Sequence, residues 1–211
     1  MSDIFKNMSP MEIEKRSFEI IESELTTDIP EDIKPVVKRV IHTTADFYYE
    51  KNLVFSPEAS KNIINAIKSG TDIVTDTNMA KAGINKKAAK KFSINTYCYM
   101  ADSDVAEVAL KNGTTRAVAS VDKAAELNKN CIYAVGNAPT ALIRLYELIK
   151  EGKIKPAAII AVPVGFVNVV EAKELILSLK DVPFVVAKGR KGGSTVAASI
   201  INAYLYMAGG R

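Results

Sequence analysis

The sequence predicts an α/β fold: a three-layer αβα arrangement with a mostly parallel sheet of about five strands, preceded by N-terminal helices. Short apolar runs rich in Val and Ile are typical of strands that are covered on both faces. Segments with helical spacing separate these runs, and such alternation favours a parallel sheet between two helix layers. The chain has 211 residues and no repeat or linker-like stretch, so we expect a single domain over residues 1–211.

Helices are predicted before the first strand. Residues 9–12 (Ser-Pro-Met-Glu) predict a helix start, because a serine cap, an early proline and a third-position glutamate make a capping box. A second helix is predicted from about Pro30 to the region of His42. A third is predicted to begin at residues 56–58 (Ser-Pro-Glu) and to end at Gly70.

The predicted strands all follow residue 70. They share a short length, an apolar character and a high content of Val and Ile, as buried parallel strands do. They cover residues 72–75, 96–100, 131–135, 157–162 and 184–187.

Composition restricts the classes of function. The net charge is +4, but aromatic residues make up only 7% and Trp is absent, so a small polyanionic ligand fits as well as nucleic acid or better. Cys98 and Cys131 lie in apolar runs, which favours reduced, buried thiols over a disulfide or a metal site. No apolar run reaches the length of a membrane span and no signal peptide is apparent, so we expect a soluble, cytoplasmic protein without a membrane partner.

His42 is the only histidine in the chain. Histidine is the side chain whose ordinary pKa lies near neutrality, so His42 is the natural candidate for acid/base chemistry. Arg39 precedes it by three residues and Asp46 follows it by four, which places all three on one side of a continuing helix. The alternative is that a lone histidine fills a half-buried niche at a helix end.

Ser17 falls within the apolar stripe of the first predicted helix. A hydroxyl there needs a partner. It can donate to the carbonyl group four residues earlier, or it can contact a ligand, and the sequence leaves both open.

In open α/β sheets, ligands bind beyond the carboxyl ends of the strands. Three predicted strands lead into glycine-containing loops, at residues 136–140 (GNAPT), 163–167 (PVGFV) and 188–194 (KGRKGGS). Glycines let backbone N–H groups approach a ligand, and helix N-termini that follow favour anions. No loop matches a standard nucleotide motif. Arg190 in the last loop and Arg116 at another helix start are candidates for binding carboxylate or phosphate.

The residues alone therefore indicate a protein that binds a large, partly apolar, multiply anionic small molecule, with one potential acid/base residue. The sequence lacks a recognisable Ser-His-Asp set, paired catalytic carboxylates and Cys/His metal-ligand spacing. These observations do not identify a reaction.

The sequence resembles the precorrin-8X methylmutase family, including the form that acts on cobalt-precorrin-8. The resemblance covers nearly the whole chain. Its motifs are EKRSF at residues 14–18, Arg39 three residues before His42, FSP at 55–57, TR at 115–116, GNAPTAL at 136–142, PVGFV at 163–167 and GRKGGS at 189–194.

The resemblance implies an isomerase of cobalamin biosynthesis that moves a methyl group from carbon 11 to carbon 12 of ring C by a 1,5-sigmatropic shift. The product is hydrogenobyrinate or its cobalt counterpart, cobyrinate. The family histidine corresponds to His42, as proton donor and acceptor, and the family's substrate contacts correspond to Ser17 and Arg39. The family works as a homodimer with the tetrapyrrole site near the interface. No cofactor or protein-bound metal is expected, since any cobalt arrives within the substrate.

The remaining expected substrate-binding residues lie in the loops. They are Arg116, Asn137, Thr140, Gly165, Phe166, Arg190, Gly192 and Gly193. Two positions depart from the family pattern, since Ala117 and Ala172 stand where serine is expected, and each puts one hydroxyl contact in doubt.

Two alternatives belong to other classes of function. A methyltransferase that uses S-adenosylmethionine would carry a glycine-rich loop after the first predicted strand, and residues 72–79 contain no glycine. A non-catalytic tetrapyrrole carrier needs the same pocket without the proton chemistry, and replacing His42 would separate it from an enzyme.

Overall fold

The computed structural model describes residues 9–127 and 130–209. Its sheet has six strands in the order β1-β6-β5-β4-β2-β3, in which β1 is antiparallel to β6 and all other neighbours are parallel. The strands are β1 Leu53–Phe55, β2 Ile73–Thr75, β3 Thr96–Tyr97, β4 Ile132–Val135, β5 Ala158–Ala161 and β6 Phe184–Ala187.

Helices connect and cover these strands. They are α1 Pro10–Glu24, α2 Lys34–Thr44, α3 Tyr48–Asn52, α4 Ala59–Lys68, α5 Asn78–Gly83, α6 Lys86–Lys91, α7 Ser103–Lys111, α8 Arg116–Leu127, α9 Pro139–Lys150, α10 Val169–Leu177 and α11 Ser194–Met207. No helix in the described part of the chain is long and apolar enough to cross a bilayer.

The sheet separates two hydrophobic cores, which confirms the predicted three-layer fold. Alternate residues of each strand face opposite sides: in β4, Ile132 packs with α2, α4 and α11, whereas Tyr133 packs with α8, α9 and α10. The central strands β4, β5 and β6 are buried at every position, as their uninterrupted apolar sequences predict.

The start of α1 matches the prediction. The Ser9 hydroxyl accepts a hydrogen bond from the Glu12 N–H at 3.3 Å, and the Glu12 carboxylate accepts one from the Ser9 N–H at 2.7 Å. This is the reciprocal capping box.

Other boundaries differ from the prediction. Helix α2 begins at Lys34 and not at Pro30, and α4 begins at Ala59, after Glu58 in a left-handed conformation (φ 56°). Strand β3 keeps only two of its five predicted residues. Strand β1 was not predicted, because three residues that pair with a strand 130 positions later give no local pattern.

The unpredicted strand β1 positions the predicted catalytic end of α2. Because β1 is antiparallel, its first residue, Leu53, pairs with Ala187 at the carboxyl end of β6. The short α3 directly precedes β1 and follows α2. The C-terminal end of α2, which carries His42, is thereby brought toward the edge where the parallel strands end.

Candidate active site

His42 lies in the last turn of α2 and is exposed. Its ring stacks on that of Phe18 in α1, with 5.1 Å between centroids and 26° between planes. No residue in the ranges 9–127 and 130–209 forms a hydrogen bond with the imidazole. Both ring nitrogens are therefore available to a ligand, which suits proton transfer better than the alternative of a filled niche.

Arg39 lies one turn before His42 and packs on the same aromatic ring. Its guanidinium carbon is 4.6 Å from the centroid of Phe18 and 5.2 Å from that of Tyr206, within cation–π range. One guanidinium nitrogen forms an ion pair with Glu14 at 2.6 Å. Phe18 thus aligns Arg39 and His42 along one side of the α1–α2 pair, as their spacing predicts.

The sequence left two alternatives open for the Ser17 hydroxyl, and the structure shows the hydrogen bond within its own helix. Its hydroxyl donates to the carbonyl oxygen of Ile13 at 2.8 Å. The hydroxyl oxygen can still accept a hydrogen bond, so the substrate contact expected for Ser17 stays a prediction.

The prediction that Asp46 lies on the same side of a continuing helix as Arg39 and His42 is wrong. Helix α2 ends at Thr44, because Ala45 adopts a left-handed conformation (φ 52°). Asp46 accepts a hydrogen bond from the Tyr48 N–H at 2.9 Å and pairs with Lys191 at 2.5 Å. The hydrogen bond from Lys191 lowers the pKa of Asp46, and the Tyr48 N–H adds to this effect. Asp46 therefore joins the His42 segment to the loop after β6.

The loops after β5 and β6 pack on each other. Gly165 donates its N–H to the Arg190 carbonyl at 3.1 Å, and Gly193 donates to the Val162 carbonyl at 2.8 Å. The Arg190 guanidinium carbon lies 5.4 Å from the centroid of Phe166, whose side chain is 81% exposed. A cation and an apolar ring thus lie together where β5 and β6 end.

Gly192 is required by packing. A Cβ atom there would lie 2.1 Å from the Val162 carbonyl oxygen and 2.8 Å from that of Pro163. The residue therefore lets the loop after β6 lie directly on the end of β5. Its expected contact with substrate, like that of Gly193, stays a prediction.

A buried carboxylate, which the sequence reasoning missed as a site residue, organises the loop after β4. Asp76, at the end of β2, accepts N–H hydrogen bonds from Gly136 at 2.9 Å and from Asn137 and Ala138 at 2.7 Å each. Burial raises the pKa of Asp76, and the three N–H donors act in the opposite direction. Strands β2 and β4 flank the point where the strand order reverses, the usual ligand crevice of an open α/β sheet.

Three further predicted residues gather near that crevice. The Thr140 hydroxyl at the start of α9 hydrogen bonds to the Thr115 hydroxyl at 3.1 Å, which brings the start of α8 alongside. Arg116 and Asn137 are both exposed there. Among the described residues, Arg116 has no hydrogen bond or ion pair, and no ring contact joins it to the His42 group.

The site is thus cationic and open. Arg116, Arg190 and Lys188 are exposed and form no ion pair within residues 9–127 and 130–209. In the same ranges, no group of three His, Cys, Asp or Glu residues is arranged to hold a metal ion. The chemistry available is proton transfer at one exposed imidazole and pairing of exposed cations with anions.

Comparisons with known proteins identify the family of the chain. The sequence profile of the family described as Precorrin-8X methylmutase matches residues 12–207. A Cobalt-precorrin-8 methylmutase from Priestia megaterium is 44% identical over 95% of this chain and 89% of its own length. One from Leptospira interrogans serogroup Icterohaemorrhagiae serovar Lai is 41% identical over 94% of each chain.

A solved structure, the precorrin-8x methyl mutase from Thermus thermophilus, superposes with a TM-score of 0.85. It is 38% identical and covers 93% of this chain and 96% of its own. The fold and the family resemblance predicted from the sequence are confirmed. With a family profile that matches residues 12–207 and relatives that cover 95% and 94% of its length, the chain belongs to the precorrin-8X methylmutase family and is an isomerase of cobalamin biosynthesis.

Proposed function

We propose that the chain moves the methyl group from carbon 11 to carbon 12 of cobalt-precorrin-8, giving cobyrinate, with His42 as proton donor and acceptor. The observation that carries this role is the exposed imidazole, which has no hydrogen-bond partner among the described residues and lies beside Arg39 on the ring of Phe18. A proton-transfer group needs such access to its substrate.

The reaction balances within one molecule. One carbon–methyl bond breaks and another forms, so neither an external methyl donor nor a redox cofactor enters. His42 donates a proton to a ring nitrogen, which shifts the electron distribution of the macrocycle toward migration. The same residue takes a proton back as the product forms, so the enzyme returns to its starting state.

The substrate's chemistry matches the surface around the loops. Its acetate and propionate carboxylates suit the exposed, unpaired cations Arg116, Lys188 and Arg190. Its apolar ring face suits Phe166 and Val164, which are 81% and 45% exposed. An exposed aromatic ring capped by an arginine can contact both the macrocycle and its carboxylates.

Cobalt-precorrin-8 is preferred over its metal-free form because the two relatives described above carry that name. The Thermus thermophilus protein is named for precorrin-8x, so the metal-free substrate is the second candidate. Cobalt is then part of the substrate, and the protein supplies no metal ligand.

A homodimer is proposed with this activity. Helix α1 turns Met11 and Ile13 outward, at 77% and 53% exposure, on the segment that also carries Ser17. An apolar face beside the predicted site is suited to a second copy, and sedimentation of the purified protein should show twice the chain mass.

We also propose a cytoplasmic location, which the free thiols of Cys98 and Cys131 fit.

The test compares wild type with His42→Ala on both substrates, without added S-adenosylmethionine. Absorbance follows methyl migration, and titration gives the affinity for product. We expect wild type to convert the cobalt substrate and His42→Ala to bind product while turnover falls at least about a hundredfold. Thr43→Ala, which removes only a hydroxyl bonded to the Arg39 carbonyl, is the matched control.

Two outcomes contradict the proposal. If wild type only binds, the chain is a carrier. If His42→Ala turns over at the wild-type rate, the reaction proceeds without the imidazole.

A further inference from the structure

Lys173 is a lysine buried in the core of the fold, with 1% of its surface exposed. It lies on the apolar side of α10, between the buried Val169 and Ile176. A buried ammonium group is costly unless polar partners surround it. Its presence therefore calls for an explanation from its contacts.

Both contacts of this ammonium group are carbonyls of the loop after β6. The Nζ atom donates to the Gly189 carbonyl at 2.8 Å and to the Lys191 carbonyl at 2.9 Å. No carboxylate in the described part of the chain forms an ion pair with it. Burial lowers the pKa of Lys173 to about 8. Two peptide dipoles of one loop thus take the place of a counter-ion.

Peptide geometry determines the direction in which the N–H groups of this loop point. In a trans peptide the N–H is directed opposite to the C=O, and the described chain has no cis peptide. Because the Gly189 and Lys191 carbonyls face Lys173, the N–H groups of Arg190 and Gly192 face away from α10. Neither N–H donates to any residue within 9–127 and 130–209.

Two unpaired N–H groups and the Arg190 guanidinium therefore belong to one short loop. The outward-facing N–H of Arg190 and the guanidinium of the same residue can together donate to one anion. Gly192 allows the close approach to β5 that fixes the loop's position, since a Cβ would meet the Val162 carbonyl.

We propose that Lys173 is a positioning residue that holds the loop carbonyls inward, so that the outward-facing N–H of Arg190 and the Arg190 side chain bind one carboxylate of the substrate. The inference deepens the function proposed above and rests on it. Lys173 itself does not touch the substrate. Its role is to orient the groups that do.

The test replaces Lys173 by Met, which keeps the length of the side chain and removes the donors. Lys180→Met is the matched control, because it loses the same charge from an exposed position just beyond α10. The probes are the polycarboxylate corrin product and a corrin whose side chains are carboxamides. We expect Lys173→Met to raise the KM and the product Kd about tenfold, with kcat changed less than about twofold.

The carboxamide corrin is expected to bind both variants and wild type within about twofold, because it lacks the carboxylate that the loop recognises. A merely structural role for Lys173 would lower kcat or the amount of folded protein and would not distinguish the two probes. An unchanged product Kd in Lys173→Met, or an equal loss for both probes, overturns the proposal.

A double-mutant cycle gives a second readout. If Lys173 acts through the loop, Arg190→Ala weakens product binding in wild type and adds little in the Lys173→Met background. If the two substitutions weaken product binding independently, so that their fold-changes multiply, the proposal is overturned. Near-UV circular dichroism checks folding, and if Lys173→Met does not fold, Lys173→Gln replaces it and is judged by the same outcomes. A wild type that neither binds nor converts substrate contradicts the proposed function instead.

Discussion

The two halves of the site are held in place by different interactions. On the helical side, the exposed His42 and the part-buried Arg39 pack on Phe18, through ring contacts and one ion pair between Arg39 and Glu14. On the strand-end side, the buried charges of Asp76 and Lys173 bind backbone groups of the loops. Surface pairs contribute at most about 1 kcal/mol, whereas loss of a buried partner costs about 3 kcal/mol or more. We infer that the loops after β4 and β6 are rigid and that the side that carries His42 can adjust to a ligand.

The largest expected effect comes from Asp76→Ala. The substitution leaves the N–H groups of Gly136, Asn137 and Ala138 without their acceptor, and we expect the free energy of unfolding to fall by about 3 kcal/mol. Urea denaturation measures it. Asp72→Ala, which removes an acceptor of one N–H at the start of the same strand, should cost only about 1 kcal/mol. Equal losses of unfolding free energy in Asp76→Ala and Asp72→Ala would contradict the inference that the loops are rigid.

An intermediate effect is expected from pH. The pKa of Lys173 is about 8 in the fold, against 10.5 when unperturbed. Between these values the unfolded chain binds more protons, so this group adds stability as pH rises. From about pH 7.5 to about pH 9.5, wild type should gain about 2 kcal/mol relative to Lys173→Met. Parallel stability curves for the two proteins would show that the ammonium is not desolvated.

The smallest effect should come from Glu14→Gln. It breaks the ion pair with Arg39, which is only partly buried, and we expect a loss of about 1 kcal/mol or less in unfolding free energy. Product should bind about two- to threefold more tightly, because Arg39 becomes free for a substrate carboxylate and a repelling charge is gone. Glu19→Gln, which breaks an exposed pair with Arg16, is the control. Weaker product binding would indicate that Glu14 positions Arg39.

Most of the fold follows from local patterns in the sequence. The five predicted strands and the capping box of α1 depend on neighbouring residues, and all are present. Strand β1 and the position of Asp46 outside α2 were not predicted, because the first depends on a distant partner and the second on an unusual backbone angle. Ala45 adopts its left-handed conformation although alanine gives no signal for it.

The site was predicted only in part for a similar reason. His42 and Arg39 stand out by residue type and spacing, and the structure places them together. Asp76 and Lys173 bind backbone groups, which carry no residue-specific signature. One signal of Lys173 is nevertheless visible in the sequence, since it is a charged residue on the apolar face of α10 between Val169 and Ile176. A buried charge on such a face indicates a polar partner elsewhere in the fold.

The packing of α2 against α11 has a consequence for the order of synthesis. Arg39 contacts Tyr206, so an element from the first quarter of the chain is completed by the last helix. A ribosome adds about 5–20 residues per second, and His42 is therefore made many seconds before the surface of α11 on which its helix packs. Strand β6, which lies between β1 and β5, is also among the last elements to be made, so the surroundings of His42 are completed only when nearly the whole chain has emerged.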